Sequence, residues 1–295
     1  MNVAIATVEW VPEEFKDDEL LIDALRSRGA SASAVPWDDP AADWAACDLV
    51  VIRSTWDYAG RHDEFLGWVD QVGDRLENAP ALVRWNSDKH YLADLAGAGF
   101  PVVETTYVGP EAAVPSLSGT VVVKPTVSGG GRDTGRFGHG AHASAINLIR
   151  AIGASGRTAM VQPYLKAVDT EGEAAIVFVH GQFSHGLRKR AVLTREGVAP
   201  TRDDRIGAAE AMYDPDLVTA ATPANDELVV AREIVDYLAR RFEGPPLYAR
   251  VDLARDADGA PLVLELEAVE PSLYLGLVPG ATDTFADAIV ARVRG

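Results

Sequence analysis

The chain has 295 residues, more than one compact domain usually contains, and its 47% hydrophobic and 24% charged residues predict a folded protein. A formal net charge of -17 argues against nucleic acid or an anionic membrane as the partner, because such binding requires clustered cations. The single cysteine excludes a disulfide within the chain and a cysteine-cluster metal site. The sequence has no signal-peptide pattern and no apolar run of about 18 residues, so we expect a cytoplasmic protein.

The first third of the chain alternates between strand and helix patterns. This alternation predicts an N-terminal α/β domain with a parallel sheet, ending near residue 85. The predicted strands cover residues 3–8, 32–35 and 48–53, and the predicted helices cover residues 17–28 and 61–76.

The remaining two thirds mix strands and helices less regularly. Residues 173–180 and 182–187 resemble a hairpin that turns at His180-Gly181, whereas residues 194–224 have the composition of a loop. The other predicted elements are helices at 86–95 and 143–152, from Asn225 onwards and up to Val293, and strands at 102–107, 120–124, 159–165, 247–253 and 261–267.

Two alternating segments near the C-terminus flank Asp258-Gly259, the strongest short signal for a hairpin. A two-residue turn at this pair puts Asp252 opposite Glu265. The same register puts Arg250 opposite Glu267, and a four-residue turn would keep all four on one face. The opposite face would carry Leu262, Leu264 and Leu266.

The three acids of this hairpin predict a metal site. Carboxylates about 5 to 8 Å apart repel one another unless a cation neutralises them. A set of oxygen ligands without His or Cys suits Mg²⁺, which also takes phosphate oxygens. The alternative is a solvated acidic sheet face on which Arg250 offsets part of the charge.

A predicted apolar strand ends in Lys124 and is followed by the glycine-rich residues 126–135. Such a loop can bring backbone N–H groups to phosphate oxygens without interference from Cβ atoms. It is not a Walker A loop, since no Gly-Lys-Ser/Thr ends it. If the glycines are considered alone, the alternative is a flexible surface loop.

No GxGxxG motif follows the first strand. Its absence argues against an NAD-dependent oxidoreductase.

Three further cationic positions invite a functional interpretation. Lys89 lies in the first turns of the predicted helix 86–95, where it could also be an ordinary exposed residue. Arg188-Lys189-Arg190 is the densest cationic cluster and could bind a triphosphate or form a solvated turn.

Arg53 follows a parallel strand at its carboxyl end, where ligands of open α/β sheets bind. It could clamp a substrate carboxylate beside Ser54 and Thr55, or pair with Asp57 to order the loop.

In this order, these motifs resemble the ATP-grasp superfamily, which includes glutathione synthetase, D-alanine:D-alanine ligase and the RimK-type ligases. The resemblance covers essentially the whole chain and implies an α/β protein with the ATP-grasp fold, α+β in its ATP-binding half. It implies an N-terminal parallel-sheet domain (1–85), a central lid domain (86–165) and a C-terminal mixed-sheet domain that binds ATP and Mg²⁺ (166–295). The matching motifs are Asn86-Ser-Asp-Lys89, Val122-Val-Lys124-Pro125, the lid 128–135, the hinge 162–165, Glu173, Arg188, Arg250-Val-Asp252 and Glu265-Leu-Glu267.

The resemblance also implies roles for these residues. Asp252, Glu265 and Glu267 would hold one or two Mg²⁺, with Mn²⁺ able to substitute, although many members have Glu-x-Asn at the last two positions. Arg188 and Arg250 would be catalytic cations that stabilise the transferred phosphoryl group. ATP would be bound by Lys89, Lys124, Ser128, Gly129, Gly130, Gly131, Arg132, Gln162, Tyr164, Leu165 and the ribose ligand Glu173. The substrate would be bound by Arg53, Ser54, Thr55, Glu270 and Ser272. Glutathione synthetase has an arginine after its ribose carboxylate, where this chain has Ala174-Ala175.

A closer resemblance is to the small actinobacterial enzymes of this superfamily, the group that includes the cyclo-ligase of cycloserine biosynthesis. It is carried by Arg53-Ser-Thr-Trp-Asp57-Tyr, Leu82-Val-Arg-Trp-Asn86, Asp169-Thr-Glu171-Gly172-Glu173 and Glu270-Pro271-Ser272-Leu273.

The group implies an ATP-dependent ligase that activates a small amino-acid-like carboxylate as an acyl phosphate for attack by an amine nitrogen. The attack would occur within one molecule, as in the cyclisation of O-ureido-serine, or between two molecules, as in glutathione synthetase. A non-catalytic ATP-binding protein is the alternative from another class. A homodimer is expected from the resemblance alone.

Overall fold

The computed structural model describes residues 1–202, 204 and 206–294. Within that part of the chain, no helix is long and apolar enough to cross a membrane. The strands are β1 Asn2–Thr7, β2 Ser31–Pro36, β3 Leu49–Ile52, β4 Leu76–Glu77, β5 Thr106–Val108, β6 Val121–Pro125, β7 Gly135–Phe137, β8 Ala159–Pro163, β9 Glu173–Val179, β10 Gln182–Lys189, β11 Gly197–Val198, β12 Val218–Ala220, β13 Tyr248–Arg255 and β14 Pro261–Glu267. The α-helices are α1 Asp17–Ser27, α2 His62–Val72, α3 Pro80–Asn86, α4 Tyr91–Gly97, α5 His142–Ala154, α6 Val168–Glu171, α7 Asn225–Arg241 and α8 Ala281–Arg294.

The N-terminal sheet contains four parallel strands in the order β2-β1-β3-β4, which confirms the predicted parallel sheet. β1 and β3 are buried on both faces, as parallel strands covered by helices usually are. The helix predicted at 61–76 is wrong at its end. α2 stops at Val72, where Gly73 takes a φ of 61°, and Leu76 and Glu77 form the edge strand β4.

Two five-stranded sheets form the rest of the molecule, in the orders β11-β7-β6-β8-β5 and β12-β10-β9-β13-β14. All their named strands pair antiparallel. A single parallel bridge between Val102 and Val263 adds to the second sheet. The chain therefore combines a parallel α/β layer with antiparallel sheets, as the ATP-grasp resemblance implied.

The helix predicted at 86–95 is interrupted. Asn86 ends α3, α4 begins at Tyr91, and Lys89 lies in the break between the two helices. The break has a tertiary cause, because the backbone N–H of Lys89 donates to the Thr126 carbonyl at 3.0 Å. This bond ties Lys89 to the strand end that carries Lys124.

Residues 194–224, predicted as a loop, contain the short strands β11 and β12 and a 3₁₀ turn at Glu210–Tyr213. Strands of two or three residues are too short to show a period in the sequence. β11 extends one antiparallel sheet at β7, and β12 extends the other at β10. Residues 203 and 205 of this segment lie outside the described residues.

A polar seam joins the N-terminal sheet to the C-terminal sheet. The amide of Asn78 donates to Tyr248 O and Ala268 O, both at 2.8 Å, and accepts from Leu247 N at 2.6 Å. The Tyr248 hydroxyl lies 2.8 Å from the Ile52 carbonyl. These buried bonds fix the end of β3 to β13, and the domain boundaries at residues 85 and 165 stay predictions.

The carboxylate hairpin forms with the predicted pairing at its functional end: Asp252 faces Glu265, and Arg250 faces Glu267. The turn has three residues rather than two, since Asp256 N donates to Ala260 O at 2.9 Å. The register shifts again after Asp252, so that Leu264 becomes an extra residue in β14. The prediction for Leu264 is therefore wrong, because the bulge turns it into the cleft described below.

Candidate active site

One large cleft is lined by residues of both antiparallel sheets and of the N-terminal domain. It contains about 1710 Å³, a volume that includes the space open to solvent. The predicted site residues that line it are Lys89, Lys124, Ser128, Gly129, Gly130, Gly131, Gln162, Tyr164, Leu165, Glu173, Arg250, Glu265, Glu267, Glu270 and Ser272.

Lys89 connects the glycine loop to the carboxylate hairpin. Its ammonium group donates to the Ser128 carbonyl at 2.6 Å and lies 3.1 Å from Glu265 Oε1. Burial lowers the pKa of the neighbouring Lys124; Glu265 opposes this shift, and the positive charge of Lys89 adds to it. An anion bound here would relieve the crowding of the two ammonium groups.

Arg188, predicted as a catalytic cation, does not line the cleft, because successive side chains of β10 point to opposite faces. Arg188 faces α7, where its guanidinium lies 3.4 Å from Glu227 Oε2. The next residue, Lys189, faces the cleft and lies 2.8 Å from Glu173 and 3.0 Å from Asp252. Of these two neighbouring cations, Lys189 is the one that lines the cleft.

Asp252 lies beneath the cleft floor and is 1% exposed. It accepts hydrogen bonds from Arg250 Nε at 2.8 Å, Arg250 Nη2 at 2.9 Å and Lys189 Nζ at 3.0 Å. Burial opposes ionisation, but these two cations hold the pKa of Asp252 below its usual value. Arg250 also pairs with Glu267 and donates to the Ser272 carbonyl at 2.8 Å. Asp252 therefore orients both cations toward the cleft.

The two remaining acids of the hairpin open into the cleft, with about a quarter of each side chain exposed. Burial alone would raise the pKa of Glu265, but Lys89 and Lys124 outweigh it and lower the value to about 2. Burial raises the pKa of Glu267 to about 7 despite Arg250, and the neighbouring carboxylate of Glu265 adds to the rise. A divalent cation would offset this repulsion.

The fit to a metal ion is partial. Among residues 1–202, 204 and 206–294, no group of three or more acids, histidines or cysteines has the geometry of a complete metal site. Glu265 and Glu267 are accessible oxygen donors of the kind that Mg²⁺ uses together with nucleotide phosphates. The third predicted ligand, Asp252, lies beneath the cleft floor and already accepts three hydrogen bonds from Arg250 and Lys189.

The glycine loop lines the cleft through Ser128, Gly129, Gly130 and Gly131, as predicted. Gly130 has a φ of 61°, and a Cβ there would lie 2.8 Å from Ala208 Cβ. Its carbonyl accepts from Ala209 N at 2.7 Å, so the loop rests on residues 208–209. Arg132 does not line the cleft. Its side chain lies beside Gly207, where an added Cβ would be 3.3 Å from Arg132 Nε.

The hinge residues Gln162, Tyr164 and Leu165 line the opposite wall. Gln162 donates to the Thr105 hydroxyl at 2.9 Å. Tyr164 donates its backbone N–H to Thr120 O at 2.8 Å, so that N–H is not available to a ligand. Its hydroxyl donates to Asp169 at 2.6 Å.

The substrate roles predicted for Arg53, Ser54 and Thr55 are not supported, because all three are buried away from the cleft. Pro271 covers the carboxyl end of β3, and Arg53 donates to its carbonyl at 2.7 Å. Ser54 donates to Asp18 at 2.5 Å. Arg53 thus contacts the segment after β14, and Ser54 contacts α1.

Aromatic residues that the sequence did not single out form the wall beside Glu270. Phe15 and Trp56 meet edge to face at 4.8 Å, and the Trp56 ring N–H donates to the Glu270 carbonyl at 3.2 Å. Phe15 also contacts Tyr213 at 5.7 Å. Trp56 and Tyr58 lie in the motif after Arg53, so alternation along that motif could have identified them. Tyr213 lies in the segment predicted as a loop, where no period exists.

Comparison with known proteins identifies relatives along the whole chain. Residues 3–78 match the family model described as D-cycloserine synthetase DcsG, N-terminal domain. The crystal structure of D-cycloserine synthetase DcsG superposes with a TM-score of 0.88 at 32% identity, covering 99% of this chain and 100% of that one. The D-alanine–D-alanine ligase from Bacillus anthracis complexed with ATP has a TM-score of 0.68 at 12% identity, covering 100% and 97%, which shows a shared fold.

The cycloserine biosynthesis protein DcsG of Streptomyces lavendulae is 36% identical over 288 residues, 93% of each chain. The chain therefore belongs to the DcsG family of ATP-grasp ligases.

Proposed function

We propose that this ligase activates the carboxylate of a small amino-acid-like substrate with Mg-ATP and joins the activated carbon to an amine nitrogen. The substrate carboxylate attacks the γ-phosphorus, the bond to the β–γ bridging oxygen breaks, and ADP leaves. The nitrogen then attacks the acyl carbon and phosphate leaves. One observation carries this proposal: Lys89, Lys124, Lys189 and Arg250 converge with Glu265 and Glu267 in a single cleft.

ATP is proposed to lie between the glycine loop and the hinge. The N–H groups of Gly129 to Gly131 and the ammonium groups of Lys89 and Lys124 suit the phosphates. Because the Tyr164 N–H is already bonded, the adenine edge would use the Tyr164 carbonyl and the Leu165 N–H. Glu173 lines the cleft beside Lys189 and would accept hydrogen bonds from ribose hydroxyls.

Glu265 and Glu267 would hold Mg²⁺, one or two ions, and Mn²⁺ would be able to substitute. When bound, the metal neutralises charge on the transferred phosphoryl group. Lys189 and Arg250 act from the protein side, since both are held by Asp252 and face the cleft. Such preorganised cations are the main protein contribution to phosphoryl transfer.

We favour intramolecular C–N bond formation, because the relatives in the same family are named for cycloserine, a cyclic product. Joining two separate molecules is the alternative, as in the D-alanine–D-alanine ligase that shares the fold. A non-catalytic ATP-binding protein would not need the accessible acids that the cleft retains.

The test incubates the protein with ATP, Mg²⁺, hydroxylamine and a panel of amino and ureido acids. We expect ADP and a trapped hydroxamate with a small amino-acid-like member, and much less of both with Glu265→Gln at the same limiting Mg²⁺ concentration. Without hydroxylamine, a product one water lighter than a single acid indicates cyclisation, whereas one water less than the sum of two indicates ligation. If no acid yields ADP or hydroxamate, the ligase proposal is contradicted.

A further inference from the structure

Glu270 differs from the other carboxylates of the cleft in its charge environment. No lysine or arginine lies within ion-pair distance of Glu270 in the part of the chain that the structure describes. The other three carboxylates that line the cleft each have a cationic partner. Glu173 lies 2.8 Å from Lys189, Glu265 lies 3.1 Å from Lys89, and Glu267 pairs with Arg250.

The surroundings of Glu270 are unfavourable for an isolated negative charge. Burial raises the pKa of its carboxyl to about 8, and the negative charge of Glu267 adds to the rise. The aromatic wall of Phe15, Trp56 and Tyr58 offers little solvation beyond the Tyr58 hydroxyl, which lies close enough to affect the pKa of both groups. A carboxylate placed here is stabilised when a cation arrives beside it.

The chemistry of the wall favours an organic cation over a second metal ion. A hard divalent ion needs several oxygen ligands, and the Glu270 backbone carbonyl is already bonded to the Trp56 ring N–H. Aromatic faces attract ammonium groups, because the face of the ring carries partial negative charge. Glu270 beside Trp56 therefore has the composition of an ammonium site.

The position of Glu270 fits the reaction. Arg250, which faces the phosphoryl group in the proposed function, donates to the carbonyl of Ser272, two residues after Glu270. An α-ammonium group is one carbon away from the carboxylate that is activated. The Glu270 carboxylate itself lies beside the glycine loop, since a Cβ on Gly129 would be 3.6 Å from Glu270 Oε1. In the proposed function that loop holds the phosphates, so a carboxylate activated there would carry its ammonium group close to Glu270.

We propose that Glu270 and Trp56 bind the α-ammonium group of the substrate, so that the ligase selects α-amino acids over carboxylic acids that lack the amine. This inference rests on the proposed function, because it names the substrate class of the same cleft. Glu270 is a specificity-determining residue in it, and Trp56 supplies the aromatic face.

The test compares O-ureido-serine with its analogue that has hydrogen in place of the α-amino group, using ADP release in the presence of hydroxylamine. We expect Glu270→Gln to lower kcat/KM for O-ureido-serine about 10- to 100-fold, as the loss of a charged hydrogen bond does. The kcat/KM of the analogue should change less than about 3-fold, because it lacks the group that Glu270 binds. The KM for ATP should stay the same. Trp56→Leu should show the same selectivity with a smaller loss.

Two controls separate selectivity from folding. Glu111→Gln, at an exposed position outside the cleft, should behave as the wild type. Glu270→Asp keeps the charge and should retain more of the preference for the amino acid than Glu270→Gln.

Equal losses for both acids in Glu270→Gln would overturn the inference, since Glu270 would then act on the chemistry or on the fold. If neither acid yields ADP, the ammonium site is tested by measuring the binding of each acid instead. The quench of tryptophan fluorescence would then be titrated with each acid in the presence of Mg²⁺ and a non-hydrolysable ATP analogue. Glu270-dependent binding of O-ureido-serine alone would support the ammonium site while the proposed reaction fails, and absence of that binding would overturn the ammonium site.

Discussion

Lys189 on β10 reaches across β9 to Asp252 on β13, with 3.0 Å between its ammonium nitrogen and the carboxylate. The contact is possible because Ala175, which is in register with Asp252, presents only a methyl group between them. The same ammonium group lies 2.8 Å from Glu173. One buried cation thus joins the proposed ribose ligand to the carboxylate that orients Arg250.

Replacing Lys189 should have a different effect from replacing its neighbour Arg188. Lys189→Met leaves Asp252 and Glu173 without their shared cation, so we expect ADP release to fall about 100-fold or more. Arg188→Met removes only the contact with Glu227, so activity should stay within about 3-fold of the wild type, with a loss of about 1 kcal/mol in the free energy of unfolding. Initial rates and urea unfolding of both variants measure this contrast. An inactive but folded Arg188→Met would restore Arg188 as the catalytic cation.

Variants of the three hairpin acids should differ in how their ADP release depends on the magnesium concentration. Glu265→Gln and Glu267→Gln each remove an accessible oxygen ligand, so the Mg²⁺ concentration for half-maximal ADP release should rise about 10-fold or more. Asp252→Asn should instead lower kcat at saturating Mg²⁺, because its carboxylate holds Arg250 and Lys189.

The measurement is a Mg²⁺ titration of ADP release for each variant, with Asp258→Asn at the exposed turn as the control. A shift in the Mg²⁺ requirement of Asp252→Asn as large as that of Glu265→Gln would make Asp252 a direct ligand.

Glu270 should destabilise the empty protein at alkaline pH. Burial raises the pKa of its carboxyl from an ordinary value of 4.5 to about 8, with Glu267 and Glu265 adding to the rise and Lys89 and Tyr58 opposing it. Between these values the folded chain binds more protons than the unfolded chain, so the free energy of unfolding falls as the pH rises through this window.

Glu270→Gln removes that loss. We expect it to raise the free energy of unfolding at pH 8 by about 1 kcal/mol or more, or about 2 to 4 °C in Tm. The difference should vanish below about pH 4.5, where the carboxyl is protonated in the folded and the unfolded chain. Thermal unfolding at several pH values, with Glu111→Gln for comparison, measures the effect. A shift in Tm that is the same at pH 5 and pH 8 would show that Glu270 is not the titrating group.

The carboxylate hairpin was predictable because its information is local. The alternation of the two segments around Asp258-Gly259 fixes which residues share a face, and the pairing of Asp252 with Glu265 follows even though the turn has a different length. The bulge at Leu264 was not predictable, since nothing in the sequence marks an extra residue in a strand.

Other parts of the site depend on distant contacts. Lys89 lies outside any helix because Thr126, far along the chain, accepts its backbone N–H. Arg53 was placed at the usual ligand position of an open sheet, but it is buried outside the cleft and bonded to the Pro271 carbonyl. The orientation of Arg188 was not predictable either. A two-residue turn at His180-Gly181 would pair Glu173 with Arg188, but a bulge between Phe183 and His185 shifts that pairing to Lys189.

The glycine loop gives a test of how closely the site is built around the phosphates. Gly130 has a φ of 61°, and a methyl group there would lie 2.8 Å from Ala208 Cβ, so Gly130→Ala must shift the loop. The backbone strain alone is about 1 to 2 kcal/mol. A free loop that relaxes out of this conformation must return to it to bind ATP, so the KM for ATP should rise roughly 10-fold. Gly140→Ala is the matched control, because no atom lies within 4 Å of its added methyl group in the described residues. Initial rates of ADP release at varied ATP distinguish the two. An unchanged KM in Gly130→Ala would mean that the loop does not hold the phosphates through its backbone, because the shifted N–H groups would otherwise lose their contacts.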